Sequence, residues 1–148
     1  MTGNPELQCT VHPLGTLHPL LFVVVCSFYR GQFLLSYHSS HHAWETQGGH
    51  IEEGESPDEA ARRELYEESG VRDCEILPVC DYHAFDSKGS ASGRVYAAVV
   101  HSLDVLPPYE MSRIQAFDTL PDHLTYPLVT PVLFQEAQKI LAKGSIEA

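Results

Sequence analysis

Basic residues are scarce in this sequence. Nine Lys and Arg stand against 20 Asp and Glu over 148 residues, a formal net charge of −11, and only Arg62 and Arg63 are adjacent. Binding a nucleic-acid backbone takes clustered cations that displace counterions from phosphate, so general nucleic-acid binding is not expected. Long apolar runs are missing as well. The longest, Leu20 to Cys26, falls far short of the ~20 residues a membrane span requires. Met1 to Gln8 lacks the basic start and apolar stretch of an export signal. The four cysteines, Cys9, Cys26, Cys74 and Cys80, form no C-x-x-C pair, which fits a reduced, cytoplasmic setting with no membrane partner. What remains is enough for one folded domain over residues 1–148: 43% of the residues are hydrophobic, with seven Tyr and six Phe to close a core.

The order of elements points to an α/β domain. Leu20 to Cys26 is short, β-branched and continuous, as in a strand buried on both faces. A turn at Arg30-Gly31-Gln32 leads into a second strand, Phe33 to Tyr37. Cys74 to Phe85 and Arg94 to His101 are two further expected strands, separated by a polar, mobile loop from Asp86 to Gly93. One helix is expected from Ser56 to Ser69, with Ser56 as N-cap, Pro57 at the first position, Glu59 closing a capping box and Gly70 as the stop. A second starts near Thr130-Pro131 and carries Val132, Leu133, Ala137, Ile140 and Leu141 at helical spacing.

The acids are unevenly placed, since eleven of the 20 fall between Glu45 and Glu75. At 100° per residue Glu64, Glu67 and Glu68 share an arc about 100° wide on the first helix. Ala60, Ala61 and Leu65 lie within that arc or at its edge. A carboxylate stripe on a helix is ordinarily a solvated face. Like charges three and four residues apart repel, however, and placing them beside the core-facing stripe adds a desolvation cost. A bound cation relieves both, and hard divalent ions take oxygen ligands.

Residues 49 to 71 fill every specified position of the pattern G-x5-E-x7-R-E-U-x-E-E-x-G-U, where U is aliphatic: Gly49, Glu55, Arg63, Glu64, Leu65, Glu67, Glu68, Gly70 and Val71. The segment therefore resembles a complete Nudix box, and the chain is similar to small mutator-type Nudix hydrolases that act on nucleoside triphosphates, including oxidised ones such as 8-oxo-dGTP. The resemblance implies an α/β/α sandwich around a mixed central β-sheet. It implies that Glu64, Glu67 and Glu68 hold Mg²⁺ or Mn²⁺, that Gly48 and Gly49 supply a tight bend and a main-chain carbonyl toward the metal, and that Glu55 and Arg63 pair to orient the loop against the helix. The reaction implied is hydrolysis of a nucleoside diphosphate linked to another group.

The base is less defined. Glu67 is the first candidate and Glu110, after Leu106-Pro107-Pro108-Tyr109, the second; Glu110 also reads as a plain loop acid. Trp44 either stacks on a nucleobase or packs in the core. His50, Arg94 and Tyr96 are candidate substrate contacts. Gln47 departs from the proline that many Nudix proteins carry ahead of the two glycines, which restores an N–H donor. His38, His41 and His42 are read as a polar loop rather than as metal ligands, because no second pair at zinc spacing accompanies them. The rival readings are an ADP-ribose or sugar-nucleotide pyrophosphatase and a nucleotide-sensing module without catalysis. A homodimer is left open.

Overall fold

The computed structural model describes residues 4–144, so both ends of the domain expected over 1–148 lie outside the described residues. Eight strands and two helices follow in the order β1 (Gln8–His12), β2 (Phe22–Tyr29), β3 (Gln32–His38), β4 (Ala43–Glu45), β5 (Gln47–His50), α1 (Pro57–Ser69), β6 (Cys74–Asp86), β7 (Gly89–Val100), β8 (Met111–Phe117) and α2 (Thr130–Ala142). The strands form one mixed sheet ordered β1-β6-β7-β2-β3-β4, with β5 paired to β2 and β8 to β3. β2 and β7 run parallel, and the other ladders are antiparallel.

Alternation along the central strands sorts the core into two layers. Val23, Val25, Leu34, Tyr96, Ala98 and Val100 pack against Ala60, Ala61, Leu65 and Val71 on the α1 face. Cys26, Phe28, Leu35, Trp44, Val95 and Ala97 pack against Leu133, Phe134 and Ala137 on the α2 face. This is the expected α/β/α sandwich with a mixed sheet. The four cysteines are free. Among the described residues no helix is long and apolar enough to cross a membrane.

Several expected boundaries are corrected. The core strand begins at Phe22, not Leu20, and continues to Tyr29 because its ladder with β7 runs to Val100. The expected mobile loop from Asp86 to Gly93 is mostly strand. Asp86 Oδ1 accepts the N–H groups of Lys88 (2.8 Å) and Gly89 (3.1 Å), an Asx-type turn that closes the β6–β7 hairpin. Gly48 and Gly49 do not form a tight bend but lie within β5, opposite Val24 and Val23.

The site depends on a change of partner along β2. Phe22 to Val25 pair with β5, whereas Ser27 to Tyr29 pair with β3, so the ladder forks at Cys26. Gln47 fills the fork. Its fully buried side chain accepts from Ser27 Oγ (2.7 Å) and donates to Ser36 Oγ (2.9 Å) and Leu34 O (3.3 Å). A proline could make none of these side-chain bonds, which accounts for the departure from the family pattern at this position.

A second buried polar group ties the start of the chain to the sheet. Asp81 is fully buried; its Oδ2 accepts main-chain N–H bonds from Gly15 (3.0 Å), Thr16 (3.0 Å) and Leu17 (3.1 Å), and its Oδ1 accepts from Arg94 Nε (2.8 Å). Asp81→Ala leaves three donors and a guanidinium unsatisfied, and should lower unfolding stability by about 3 kcal/mol. Urea denaturation checks this as a lowered midpoint at unchanged slope.

Candidate active site

Local signals alone fix α1. Ser56 Oγ accepts from Glu59 N (3.1 Å) while Glu59 Oε1 accepts from Ser56 N (2.9 Å), Pro57 opens the first turn, and Gly70 closes the helix at φ 81°. Its buried residues are Ala60, Ala61, Glu64, Leu65, Glu68 and Ser69. Two of the three carboxylates therefore belong to the face that packs on the sheet, as the helical arc predicts.

The two glycines of β5 make room for them. A Cβ on Gly49 would stand 1.5 Å from Glu64 Oε2, and one on Gly48 would stand 2.4 Å from Val23 O. The glycines are thus required by close approach rather than by backbone conformation. Gly48 presents its main-chain N–H to the helix, donating to Glu68 Oε1 at 2.7 Å. Ser36 Oγ donates to Glu68 O (2.6 Å), anchoring the end of α1 to β3.

Glu55 and Arg63 form a two-bond pair, with Arg63 Nε donating to Oε2 at 2.7 Å and Nη2 to Oε1 at 3.0 Å. Nη2 also donates to His50 O (3.0 Å) and Nη1 to Glu67 Oε1 (3.3 Å). This one guanidinium joins β5, the loop after it and α1. Its hydrogen bonds, helped by the Glu52 main chain, hold the Glu55 carboxyl down at about 2.

Burial has the opposite effect on the acids facing the sheet. It pushes Glu64 up to about 7, with Arg63 pulling down and Glu67 adding to the rise. It pushes Glu68 up to about 9 against the Gly48 N–H, with Glu64, Glu45 and Glu110 contributing. Glu110 thus lies close enough for its charge to reach both helix carboxyls, although it precedes β8 and is far away in sequence. Two buried carboxyls, with Glu67 beside them and, among the described residues, only the Arg63 guanidinium, shared with Glu55, near Glu64 (3.4 Å), offer an all-oxygen donor set suited to Mg²⁺ or Mn²⁺. Glu68 turned to Gly48 and Glu67 turned to Arg63 are contacts that a bound ion would have to replace.

The remaining expected contacts divide by face. His50 and both glycines line a cavity of about 320 Å³, together with Phe22, Tyr82, Tyr126 and Leu133. Trp44 is not part of it. One residue out of phase with Glu45, it points to the α2 core, edge-on to Tyr37 and Phe117. Arg94 and Tyr96 do not line the cavity either. Both lie on the α1 side of β7, where Arg94 is bound to Asp81 and the Tyr96 hydroxyl donates to Asp58.

A polar cluster also emerges where the sequence suggested only a loop. His38, His41 and Glu45 bring donor atoms within 4.8 Å of one another. His41 bonds to Glu45 Oε2, which also accepts from Thr125 Oγ1 (2.7 Å). The available signal was strand parity: Ser36 and His38 share a face, and Glu45 is the register partner of Ser36.

Glu64 and Glu68 bind protons more tightly in the folded chain than as ordinary carboxyls. Metal-free stability should therefore fall as pH rises from the usual carboxyl range through about 7 and about 9. Thermal melts at pH 6 and pH 8.5 should show the lower Tm at pH 8.5, with Mg²⁺ restoring more at that pH. The difference should be several degrees, since one pKa unit corresponds to about 1.4 kcal/mol. Glu68→Gln, which keeps an acceptor for Gly48, should fold and lose most of this pH dependence.

Comparison with known proteins agrees with the geometry. The NUDIX domain family matches residues 18–118. A stretch of 42 residues is 48% identical to an RNA pyrophosphohydrolase of Bartonella henselae, covering 28% of this chain and 24% of that protein. Another of 56 residues is 41% identical to an RNA pyrophosphohydrolase of Azorhizobium caulinodans, covering 37% and 33%. The match thus spans a quarter to a third of these curated relatives. The fold is similar to that of the Bacillus subtilis pyrophosphohydrolase BsRppH, with a TM-score of 0.78 at 23% identity over 95% of this chain and 93% of that one. It is also similar to the NUDIX domain of Shewanella oneidensis NrtR complexed with ADP ribose, with a TM-score of 0.69 at 23% identity over 85% and 90%. With the box residues assembled around α1 and the family matched over most of its length, the chain belongs to the NUDIX family.

Proposed function

We propose that this protein is a Mg²⁺- or Mn²⁺-dependent pyrophosphohydrolase acting on the phosphoanhydride of a nucleoside 5′-triphosphate. One observation carries the reading: Glu64 and Glu68 are buried against Gly48 and Gly49, and the same two glycines line the 320 Å³ cavity. A cation-binding face and a slot walled by Phe22, Tyr82 and Tyr126 thus adjoin along one strand. Aromatic and aliphatic walls with few polar groups suit a nucleobase.

Glu64, Glu67 and Glu68 would hold the ion, which when bound neutralises the diphosphate and activates the attacking water. The Arg63–Glu55 pair keeps the box loop at a fixed angle to α1. Of the two candidate bases, Glu110 suits the role better. Glu67 is tethered to Arg63 and belongs to the ligand set, whereas Glu110 stands outside that set at the rim, with 74% of its side chain exposed. Bound cations would lie between the acidic protein and its polyanionic substrate and so let the two meet.

The second reading, a 5′-triphosphorylated RNA end, is favoured by the names of the sequence relatives. A net charge of −11, with only nine Lys and Arg in the sequence, favours contacts confined to the terminal nucleotides. A panel of GTP, ATP, 8-oxo-dGTP, ADP-ribose and a triphosphorylated RNA oligonucleotide, with Mg²⁺ or Mn²⁺ in ¹⁸O water, separates these readings by product mass. Nucleoside monophosphate and pyrophosphate from free triphosphates is the expected result. Turnover of RNA alone would move the assignment to RNA ends, cleavage of ADP-ribose alone to the sugar-nucleotide reading, and binding without turnover would indicate a sensor.

A further inference from the structure

Four titratable side chains outside the box lie in one chain of contacts: Glu45, His41, His38 and Glu110. The His38 ring is buried, at 7% exposure. Its Nδ1 accepts the main-chain N–H groups of both Ser40 and His41, each at 3.2 Å. A nitrogen that accepts cannot carry the proton, so the neutral ring bears it on Nε2. That atom faces Glu110 Oε2 at 3.4 Å. The next residue grips the same glutamate by its main chain, with Ser39 Oγ donating to Glu110 O at 3.0 Å and Ser39 N at 3.5 Å. Behind His38, the His41 ring stacks at 3.8 Å and 12° and is itself fixed by Glu45, which Thr125 holds.

The same atoms do not make a metal centre. Stacked imidazoles direct their in-plane lone pairs side by side rather than toward one point, and the Nδ1 of His38 is already occupied by two N–H donors. What the stack does provide is a rigid donor. Glu110 is otherwise an exposed side chain on a turn, free to sample many rotamers. We propose that His38 is a positioning residue for Glu110: it donates from Nε2 to the Glu110 carboxylate and sets the angle at which that carboxylate meets the acidic site. The pair stands at ion-pair distance, 3.4 Å, outside hydrogen-bond geometry, and catalytic contacts often tighten only when substrate binds. The inference rests on the reading of Glu110 as base.

The test combines kinetics on GTP and on triphosphorylated RNA, both with Mg²⁺, with ¹⁵N NMR of the histidine rings. His38→Phe keeps the stacking but loses the donor, and should lower kcat by roughly tenfold to a hundredfold with KM within about twofold. His38→Gln, which places an amide N–H near the Nε2 position, should recover most of that loss. In a Glu110→Gln background, His38→Phe should cost nothing further. Equal losses from His38→Phe with and without Glu110 would overturn the proposal. Independently of activity, His38 should show the Nε2–H form, and Glu110→Gln should shift its Nε2 resonance while leaving His41 in place. An Nδ1–H ring, or a resonance that does not respond to Glu110→Gln, would overturn it as well. If the wild-type protein hydrolyses neither triphosphate, the proposed function fails, and the NMR outcome alone decides the contact.

Discussion

The carboxylate of Glu64 occupies the volume that a side chain on Gly49 would fill, and most of the local architecture serves that contact. For α1 to approach β5 so closely, β5 must lie beside the N-terminal half of β2, while β3 takes the other half of the same edge. The fork this creates would leave main-chain and side-chain polar groups unpaired inside the protein. Gln47 closes it with bonds to both branches, and Ser36 ties the same place to the end of the helix. At the outer end, Arg63 joins the loop, β5 and α1 through Glu55 and His50. Each device holds a helix in place against the repulsion between its own acids.

Desolvation of those acids costs more than their repulsion. Burial raises Glu64 and Glu68 to where protonation competes at neutral pH, so the cation-free arrangement works against the fold's own packing. Small proteins keep such an arrangement where function requires it and pack more favourably elsewhere. Here the compensation is visible in the two well-separated apolar layers and in the capped helix.

What the sequence discloses follows from which interactions are local. The ends of α1 were readable because Ser56, Pro57, Glu59 and Gly70 act within one turn of themselves. The acidic arc was readable because helical geometry fixes it. The short strands were not: β4 is only three residues long, and β5 and β8 pair with residues tens of positions away, so Gly48-Gly49 looked like a bend. Asp86 to Gly93 looked like a loop because its composition is polar, whereas the ladder to β6 extends it as strand. Arg94 and Tyr96 were read as candidate substrate contacts by residue type, and Trp44 was left between a nucleobase and the core. Which face of the sheet each occupies depends on register, and a single step in parity sends Trp44 to the opposite layer from Glu45. The neighbourhood of His38, His41 and Glu45 depends in the same way on the β3–β4 register.

The walls of the 320 Å³ cavity come from Leu7, from the β6–β7 hairpin at Ala84 and Ala91, and from the start of α2 at Val129 and Leu133, none of which lies on α1. The box carboxylates and the cavity walls are therefore two sets drawn from different elements that meet at β5, where Gly48, Gly49 and His50 border both. Substitutions in one can accumulate over evolutionary time while the other stays intact. A lineage carrying this scaffold can exchange one substrate for another without rebuilding the chemistry, and a shared box is poor evidence that two such proteins have the same diet.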